Sequence, residues 1–478
     1  MRIPPLALAL AVLPLCAQLK EIPTTQKDLQ SLAVTIYNEN LALVKDTRDV
    51  RLPKGEVALA FQEVSAQIRP ETALLRDITH PEGFWVVEQN FDFDLLTPQK
   101  LLDKYVGEKV GIITTQREES GKIVEKREEA LVLATNSGTV LQFPDRIETS
   151  YVGRIVFPKV PENLRARPTL VISLNSPVAA AQKLELSYLT GGLAWRADYV
   201  ANLASDERTM DLSGWVTLTN TSGVAYPNAT LQLVAGDVNR APEPRRAYKN
   251  GGMQVGAMAP AAPQMQEESL FEYHLYTLDR PTTLKAAQTK QVALLSASSV
   301  PVRKEYLLRG ESYYYQGSYG EIGAKLKVGV FVEFDNREAN HMGMPLPKGV
   351  VRVYKRDSEG RAQFIGEDAV DHTPKNETVR LKLGDAFDVT ARRKQTDYKS
   401  LGAIGKYHYN YETAFEVELK NAKKEAVTVS VLEPIYGDWE IIQESHPHTK
   451  ESAGAAKFKV AVPPEGTAKL TYRVRTKW

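Results

Sequence analysis

Apolar and polar residues alternate with period two along most of the chain, which puts the apolar ones on one face of an extended strand. Leu212, Gly214, Val216 and Leu218 interleave with Ser213, Trp215, Thr217 and Thr219. The pattern recurs where Leu326, Val328, Val330, Val332 and Phe334 alternate with Lys325, Lys327, Gly329, Phe331 and Glu333, and again where Val379, Leu381 and Leu383 flank Arg380 and Lys382. Helical spacing is scarce. Its best instance is Pro98 to Tyr105, where Leu101, Leu102 and Tyr105 share a face after Thr97 as N-cap. The pattern predicts a mainly β, multi-domain protein of sandwich architecture.

Strand spacing divides the chain into three regions. In the N-terminal β region, residues 28–165, short strands are predicted at Val34 to Tyr37, Leu41 to Val50, Val57 to Phe61 and Trp85 to Glu88. Within it, residues 101–157 hold closely spaced strands at Lys109 to Thr115, Ala130 to Ala134 and Val140 to Phe143, a spacing that suits a small barrel-like fold. The mixed charges of Arg117 to Glu129 read as a solvated hairpin tip. A central β-sandwich domain is predicted over 166–400, interrupted at 250–268 by NGGMQVGAMAPAAPQMQEE. Gly, Ala, Pro and Gln bury too little to repay ordering, so this insertion is expected to be a mobile loop. Its Met253, Met258 and Met265 are more readily part of that loop than soft-metal ligands. Over 405–478 the strands around Val417, Val429, Val460 and Tyr472 are separated by turns at 421–425 and 463–466. They read as two hairpins of an immunoglobulin-like β-sandwich.

The first residues change the picture from a fold to a location. Arg2, the apolar run Pro4 to Leu15, and Cys16-Ala17 before a polar stretch have the parts of a secretory signal, with cleavage after Ala17. Export to the periplasm or surface of a bacterium is the expectation. The run is shorter than the roughly 20 residues of a membrane span, and no later segment reaches that length. Cys16 is the single cysteine. Either it leaves with the signal, which removes disulfides and thiol chemistry from the chain, or it is acylated and serves as a lipid anchor. The net charge of +1 lacks the basic excess of a nucleic-acid binder, so no nucleic acid is expected as partner.

Three stretches carry a resemblance to a known family. They are LELSYLTGGLAWRADYVANL with LSGWVTLTNTSGVAYPNATLQLVAGDV within 184–238, FEYHLYTLDRPTTLKAAQTKQVALLSA over 271–297, and LPKGVVRVYKRDSEGRAQFIGEDAVDHTPKNETVRLKLGDAFDV over 346–389. In order and composition, the last two-thirds of the chain resembles the bacterial domain-of-unknown-function family 4139, sometimes labelled mucoidy-inhibitor-like. The resemblance implies an envelope-associated, strand-rich protein and brings no catalytic residues with it. Members often carry a coiled coil ahead of this region; no apolar heptads occur here, so a role resting on one does not transfer. Physically, the stretches hold fold determinants: a hairpin turn at Asp357-Ser358-Glu359-Gly360, and Tyr188, Trp195 and Tyr199 as core aromatics.

Linear catalytic signatures are absent: no HExxH, GxSxG, GxxxxGK[ST] or EF-hand loop occurs. His446-Pro447-His448 puts two imidazoles on one side of a strand without further ligands, which favours an exposed loop over a metal site. Asp371-His372-Thr373 reads as a turn, because adjacent side chains on an extended chain point opposite ways. Asp92 and Asp94 alternate with Phe91 and Phe93, as on the solvated face of an edge strand. No metal or other cofactor is expected. Asn220, Asn228 and Asn376 open glycosylation sequons that read as surface turns. The strongest candidate surface is aromatic. Tyr313, Tyr315 and Tyr319, with Tyr407, Tyr409 and Tyr411, offer flat area plus hydroxyls, with Tyr313 and Tyr315 on one strand face and Tyr407, Tyr409 and Tyr411 on another. Cross-strand stacking within a sheet is the competing role. Two functions stand: a non-catalytic binding or scaffolding module for envelope proteins or polysaccharide, and a hydrolase of envelope polymers built from scattered Asp, Glu and His.

Overall fold

The computed structural model describes residues 20–478 apart from 81–82, 93–94, 118–122, 137, 162–163, 237–238 and 240–264. The expected signal sequence with Cys16, Asp94, and residues 250–264 of the expected mobile insertion lie outside the described residues. The last four insertion residues do not form a loop: Met265 is buried in a strand, Met265–Leu270, paired with Tyr273–Leu278. The protein is almost all strand, in several sheets of sandwich-like arrangement, and divides into two compact units.

The first unit comprises the chain to Ala194 with Thr219–Gln232 and Arg280–Thr289. One of its sheets runs in the order Glu21–Thr24, Gly55–Gln62, Thr169–Ser176, Trp85–Asp92. A second places Leu29–Tyr37, Leu41–Leu52, Ala180–Thr190 and Leu74–Asp77 side by side, burying alternate residues such as Val34, Val44, Leu184 and Tyr188. Arg48 is fully buried, held by Asp46 at 2.7 and 3.0 Å and by the Thr24 carbonyl at 2.9 Å, with its guanidinium over the Phe61 ring.

The region expected as barrel-like is an open five-stranded sheet among the described residues. Its outer strands, Ile147–Glu148 and Arg154–Val156, are only two and three residues long and do not pair with each other. Beside it lies the predicted helix, Pro98–Lys104. The Thr97 hydroxyl accepts from Lys100 N–H, and Leu102 joins a small core with Tyr105, Val110, Ile112 and Val132.

The second unit comprises Trp195–Leu218, Leu233–Asp279 and Lys290–Trp478. A five-stranded sheet runs Gln288–Pro301, Thr209–Asn220, Leu193–Leu203, Gly349–Arg356, Ala362–Val370, with the third and fourth parallel. Gly214 is needed in it, since a Cβ there would lie 2.8 Å from Leu295. The expected turn forms between the last two strands, with Gly360 at φ 79° and Asp357 Oδ1 accepting from Glu359 and Arg361 N–H.

Strands expected in the central domain and in the C-terminal module share one nine-stranded sheet. Its order is Asp438–Glu444, Gly466–Lys477, Asn410–Asn421, Thr378–Ser400, Glu321–Asp335, Arg303–Arg309, Val427–Pro434, Ala455–Val462, His448–Ser452. Neither expected C-terminal hairpin forms. Asn410–Asn421 pairs with Gly466–Lys477, and Val427–Pro434 pairs with Ala455–Val462. The turns at 421–425 and 463–466 therefore carry the chain between two parts of the sheet that enclose Val417, Val429, Phe458, Val460 and Leu470 in a common core. A buried asparagine ties them together. Asn421 Nδ2 donates to the Glu425 and Pro463 carbonyls at 2.8 and 3.0 Å, and its Oδ1 accepts from Lys423 N–H. In the first unit Asn220 does the same with Val224, Lys285 and Ser222, so this sequon asparagine is a buried staple. Asn228, expected in a turn, lies within the strand Tyr226–Ala235 with positive φ where the register shifts, and Asn376 occupies a turn with positive φ.

Candidate functional site

The tyrosines gather along the nine-stranded sheet, in an arrangement that departs from the one expected. Ser312–Tyr315 is a 3-10 turn, so Tyr313 and Tyr315 do not share a strand face. Tyr313 is 49 % exposed and packs edge-to-face on Tyr319, 43 % exposed, at 5.6 Å. Tyr315 is instead 1 % exposed and belongs to the core. Tyr407 lies in the loop before Asn410–Asn421, where Ile404 and Tyr407 bridge, and its hydroxyl donates to Asp438. It therefore leaves the face held by Tyr409 and Tyr411.

Tyr409, 52 % exposed, stacks on Tyr411 at 6.3 Å and meets Trp478 at 5.8 Å. Tyr411 continues to Tyr398 at 5.4 Å and to Trp478 at 5.3 Å, and Trp478 meets Tyr436, 65 % exposed, edge-on at 6.4 Å. The two groups are tied to one strand, since Tyr319 N–H donates to Gln395 and Tyr398 follows on Thr378–Ser400; burial first, then Tyr411 and Tyr319, raises the Tyr398 pKa. The result is a strip of seven rings from Tyr313 to Tyr436. Apolar Leu401 and Ile404 are exposed in the adjoining loop, and Arg473 and Arg475 pair with Asp397 and Glu412 on the strands that carry the strip. Sequence reading missed Tyr398, Tyr436 and Trp478, each unremarkable in its own segment.

The strip rests on a rigid floor. Gln395, buried on Thr378–Ser400, accepts from Tyr319 N–H at 2.6 Å and donates to the Gly317 carbonyl at 2.8 Å, which fastens the Tyr313–Tyr319 segment. Below, Tyr315, Phe415, Tyr472 and Phe458 contact in series at 5.1–5.3 Å. The Tyr315 hydroxyl donates to Glu433, and Glu433 takes both terminal nitrogens of Arg393 at 2.6 and 2.8 Å, with both charged side chains fully buried. Burial pushes the Tyr315 phenol far above its ordinary range, and the Glu433 carboxylate adds to this. Gly310 is required alongside, because a Cβ there would lie 2.2 Å from Glu433 Oε2.

The other sequence candidates are tied up in local contacts. Asp92 accepts from Arg165 at 2.9 Å. His448 Nδ1 pairs with Glu444 at 2.7 Å and His446 Nδ1 with the Ser445 hydroxyl at 2.9 Å. His372 Nδ1 accepts from Lys348 N–H at 3.2 Å, while the Thr373 hydroxyl donates to the Asp371 carbonyl at 2.8 Å. Among the described residues no group of three or more His, Cys, Asp or Glu could hold a metal ion, and no helix is long and apolar enough to cross a membrane.

Two carboxylates do share a cavity of about 180 Å³, Glu207 and Asp385, between Leu203, Val332 and Leu383. Burial pushes the Glu207 carboxyl up, but hydrogen bonds from Lys304 and Lys355 at 2.6 and 2.5 Å outweigh it and hold it at about 2. Asp385 lies 3.4 and 3.7 Å from Lys327 and Lys382. Such clamped carboxylates are poor proton shuttles near neutrality. Because the folded value of Glu207 lies below its ordinary 4.5, the stabilisation is present above that value and is lost as pH falls toward 2. Urea unfolding across that window is expected to show a shallower pH slope for Glu207→Gln than for the native chain, and equal slopes would refute the clamp.

The strip, its floor and the clamped carboxylates all lie in the span recovered by comparison with known proteins. No curated protein matches the chain. Residues 184–478, more than half of the chain, match the family model described as Domain of unknown function (DUF4139), and the chain belongs to that family.

Proposed function

We propose that the protein is an exported, non-catalytic binding or scaffolding component of the bacterial cell envelope, and that the aromatic strip is where it receives another envelope protein. One observation carries this reading: five Tyr and Trp rings, Tyr398, Tyr409, Tyr411, Trp478 and Tyr436, are linked by ring contacts, the paired rings of Tyr313 and Tyr319 are fastened to the same sheet, and four of the seven are 43–65 % exposed above a locked core. Solvent-exposed aromatic area of this extent marks an interaction surface. Tyr, Trp and Arg are the residues enriched at the energetic centres of protein interfaces, and fixed rings surrender little entropy on binding. Leu401 and Ile404 beside the strip extend the apolar area. The signal-like first 17 residues support the envelope placement. The ion-paired state of Glu207 and Asp385 favours binding over hydrolysis.

The test is photo-crosslinking from position 436 in the full chain within native envelopes, followed by mass spectrometry and glycan staining of the adducts. One reproducible protein adduct, lost in a Trp478→Ala background, is expected. Adducts that stain only as polysaccharide, or no adduct, would overturn the protein-partner reading. An intact Met1 to Ala17 on the envelope-derived chain would refute export.

A further inference from the structure

At one end of the five-stranded sheet lies a second feature, which shares Leu203 with the clamped carboxylates' cavity and no residue with the strip. It is a cleft of about 520 Å³, within the roughly 300–1,000 Å³ usual for small-molecule sites. Three neighbouring strands contribute the polar side chains Asn202, Asp211, Ser213, Ser296 and Ser298 to its lining, beside apolar Leu203 and Met210 and with Tyr354 from a fourth strand.

Two observations point to a ligand. First, among the described residues the Asn202 amide and the hydroxyls of Ser213, Ser296 and Ser298 have no hydrogen-bond partner. Ser213 is the telling case: the residue is only 8 % exposed, yet its hydroxyl is neither bonded nor sealed away, so it opens on the cleft. A hydroxyl so placed is free to donate to and accept from a molecule that enters the cleft. Second, the charges of the wall cancel. Lys355 is engaged by Glu207 at 2.5 Å, which leaves one anion, Asp211, and one cation, Arg356, in the lining. Asp211 accepts from Ser299 N–H through Oδ1 alone at 2.9 Å, while Arg356 donates to the Gly360 carbonyl at 2.8 Å.

A phosphate needs a cationic excess and a metal ion needs convergent anionic ligands; the cleft has neither. Its free groups are hydroxyls, an amide and one carboxylate oxygen, which suit the vicinal hydroxyls of a neutral ligand because each side donates and accepts. Tyr354, packed edge-on against Phe364 at 5.7 Å, adds a fixed flat ring for the apolar face of a pyranose. We infer that the cleft binds a short, neutral saccharide. This inference is independent of the protein-partner reading, since no strip residue lines the cleft.

The probes are maltotriose, cellotriose and chitotriose, with a hexose 6-phosphate as the anionic arm, titrated against the full chain by saturation-transfer NMR. At least one trisaccharide is expected to bind, and Ser298→Trp, which fills the mouth from an exposed position, to weaken it by about tenfold or more while Trp478→Ala leaves it within about twofold. Asn202→Ala, another exposed site, repeats the test if Ser298→Trp shifts the unfolding midpoint. No binding by any trisaccharide at millimolar concentration would overturn the inference, as would tighter binding of the hexose phosphate or indifference to both cleft variants. Loss of saccharide binding in Trp478→Ala alone would move it to the strip.

Discussion

Glu433→Ala is expected to destabilise the protein by about 3–5 kcal/mol, the largest effect of any single substitution considered, because it leaves the Arg393 guanidinium buried without its counter-charge. Arg393 has no route to water. It is fully buried, its Nε already has no partner, and its remaining contacts would be the Tyr472 hydroxyl at 3.4 Å and the Tyr314 ring. Burial alone would lower the Arg393 pKa, and in the native chain Glu433 outweighs it; without Glu433 an arginine side chain still stays protonated, so neutralisation does not relieve the cost. The substitution also removes the carboxylate acceptor of the Tyr315 hydroxyl and leaves it only the Tyr472 hydroxyl at 3.1 Å. Urea unfolding followed by fluorescence measures the loss, and a change below about 1 kcal/mol would show that the pair is not the uncompensated charge described. Replacing both partners, Arg393→Met with Glu433→Leu, removes the stranded charge, so the double variant is expected to recover most of the loss. Because Tyr315 lies under the strip, the single variant also loosens the floor on which Tyr313 and Tyr319 stand.

What could be read beforehand follows from what a linear pattern encodes. Alternation states which side of a strand faces a core, and Val34, Leu212, Val332 and Val460 are buried as their positions require. Local side-chain chemistry is equally legible: Thr97 caps its helix and Asp357 with Gly360 closes its turn. Pairing partners are not encoded this way. The turn after Asn421 has the alternating flanks of a hairpin, yet the strands beside it pair elsewhere, because the same inward residues can meet a core from either part of the sheet. Only the Asn421 amide, reaching carbonyls 4 and 42 residues away, reveals the crossover.

The tyrosines show the same limit at the site. Tyr313 and Tyr315 were two positions apart in a segment expected to be extended, but the 3-10 turn sends Tyr315 inward to an acceptor 118 residues away. Conversely, Tyr398, Tyr436 and Trp478 come from three separate segments and join the strip only because Thr378–Ser400 and Gly466–Lys477 flank the same neighbour, Asn410–Asn421. An aromatic cluster of this kind leaves no spacing rule in the chain. The family match covers the strip without explaining it.

Trp478→Ala is expected to weaken capture of the protein partner by about 30-fold or more, since a central aromatic anchor of an interface is typically worth about 2 kcal/mol or above. Trp478 is the candidate anchor because it contacts three other rings of the strip and joins the exposed Tyr409 and Tyr436 through itself, whereas Tyr411, which also meets three rings, does not reach Tyr436. Its backbone is pinned independently: its N–H donates to the Tyr409 carbonyl at 3.1 Å and its carbonyl accepts from Tyr409 N–H at 3.0 Å. The alanine variant therefore keeps the pairing and removes only the ring. Tyr315→Phe provides the contrast, for it alters the buried floor and leaves the exposed rings in place, so it should lower stability and spare binding. Affinity for the captured partner, measured by titration alongside unfolding midpoints for both variants, separates the two roles. Equal loss of binding in Tyr315→Phe, or none in Trp478→Ala, would mean that the strip contributes stacking to the sheet and not a binding surface.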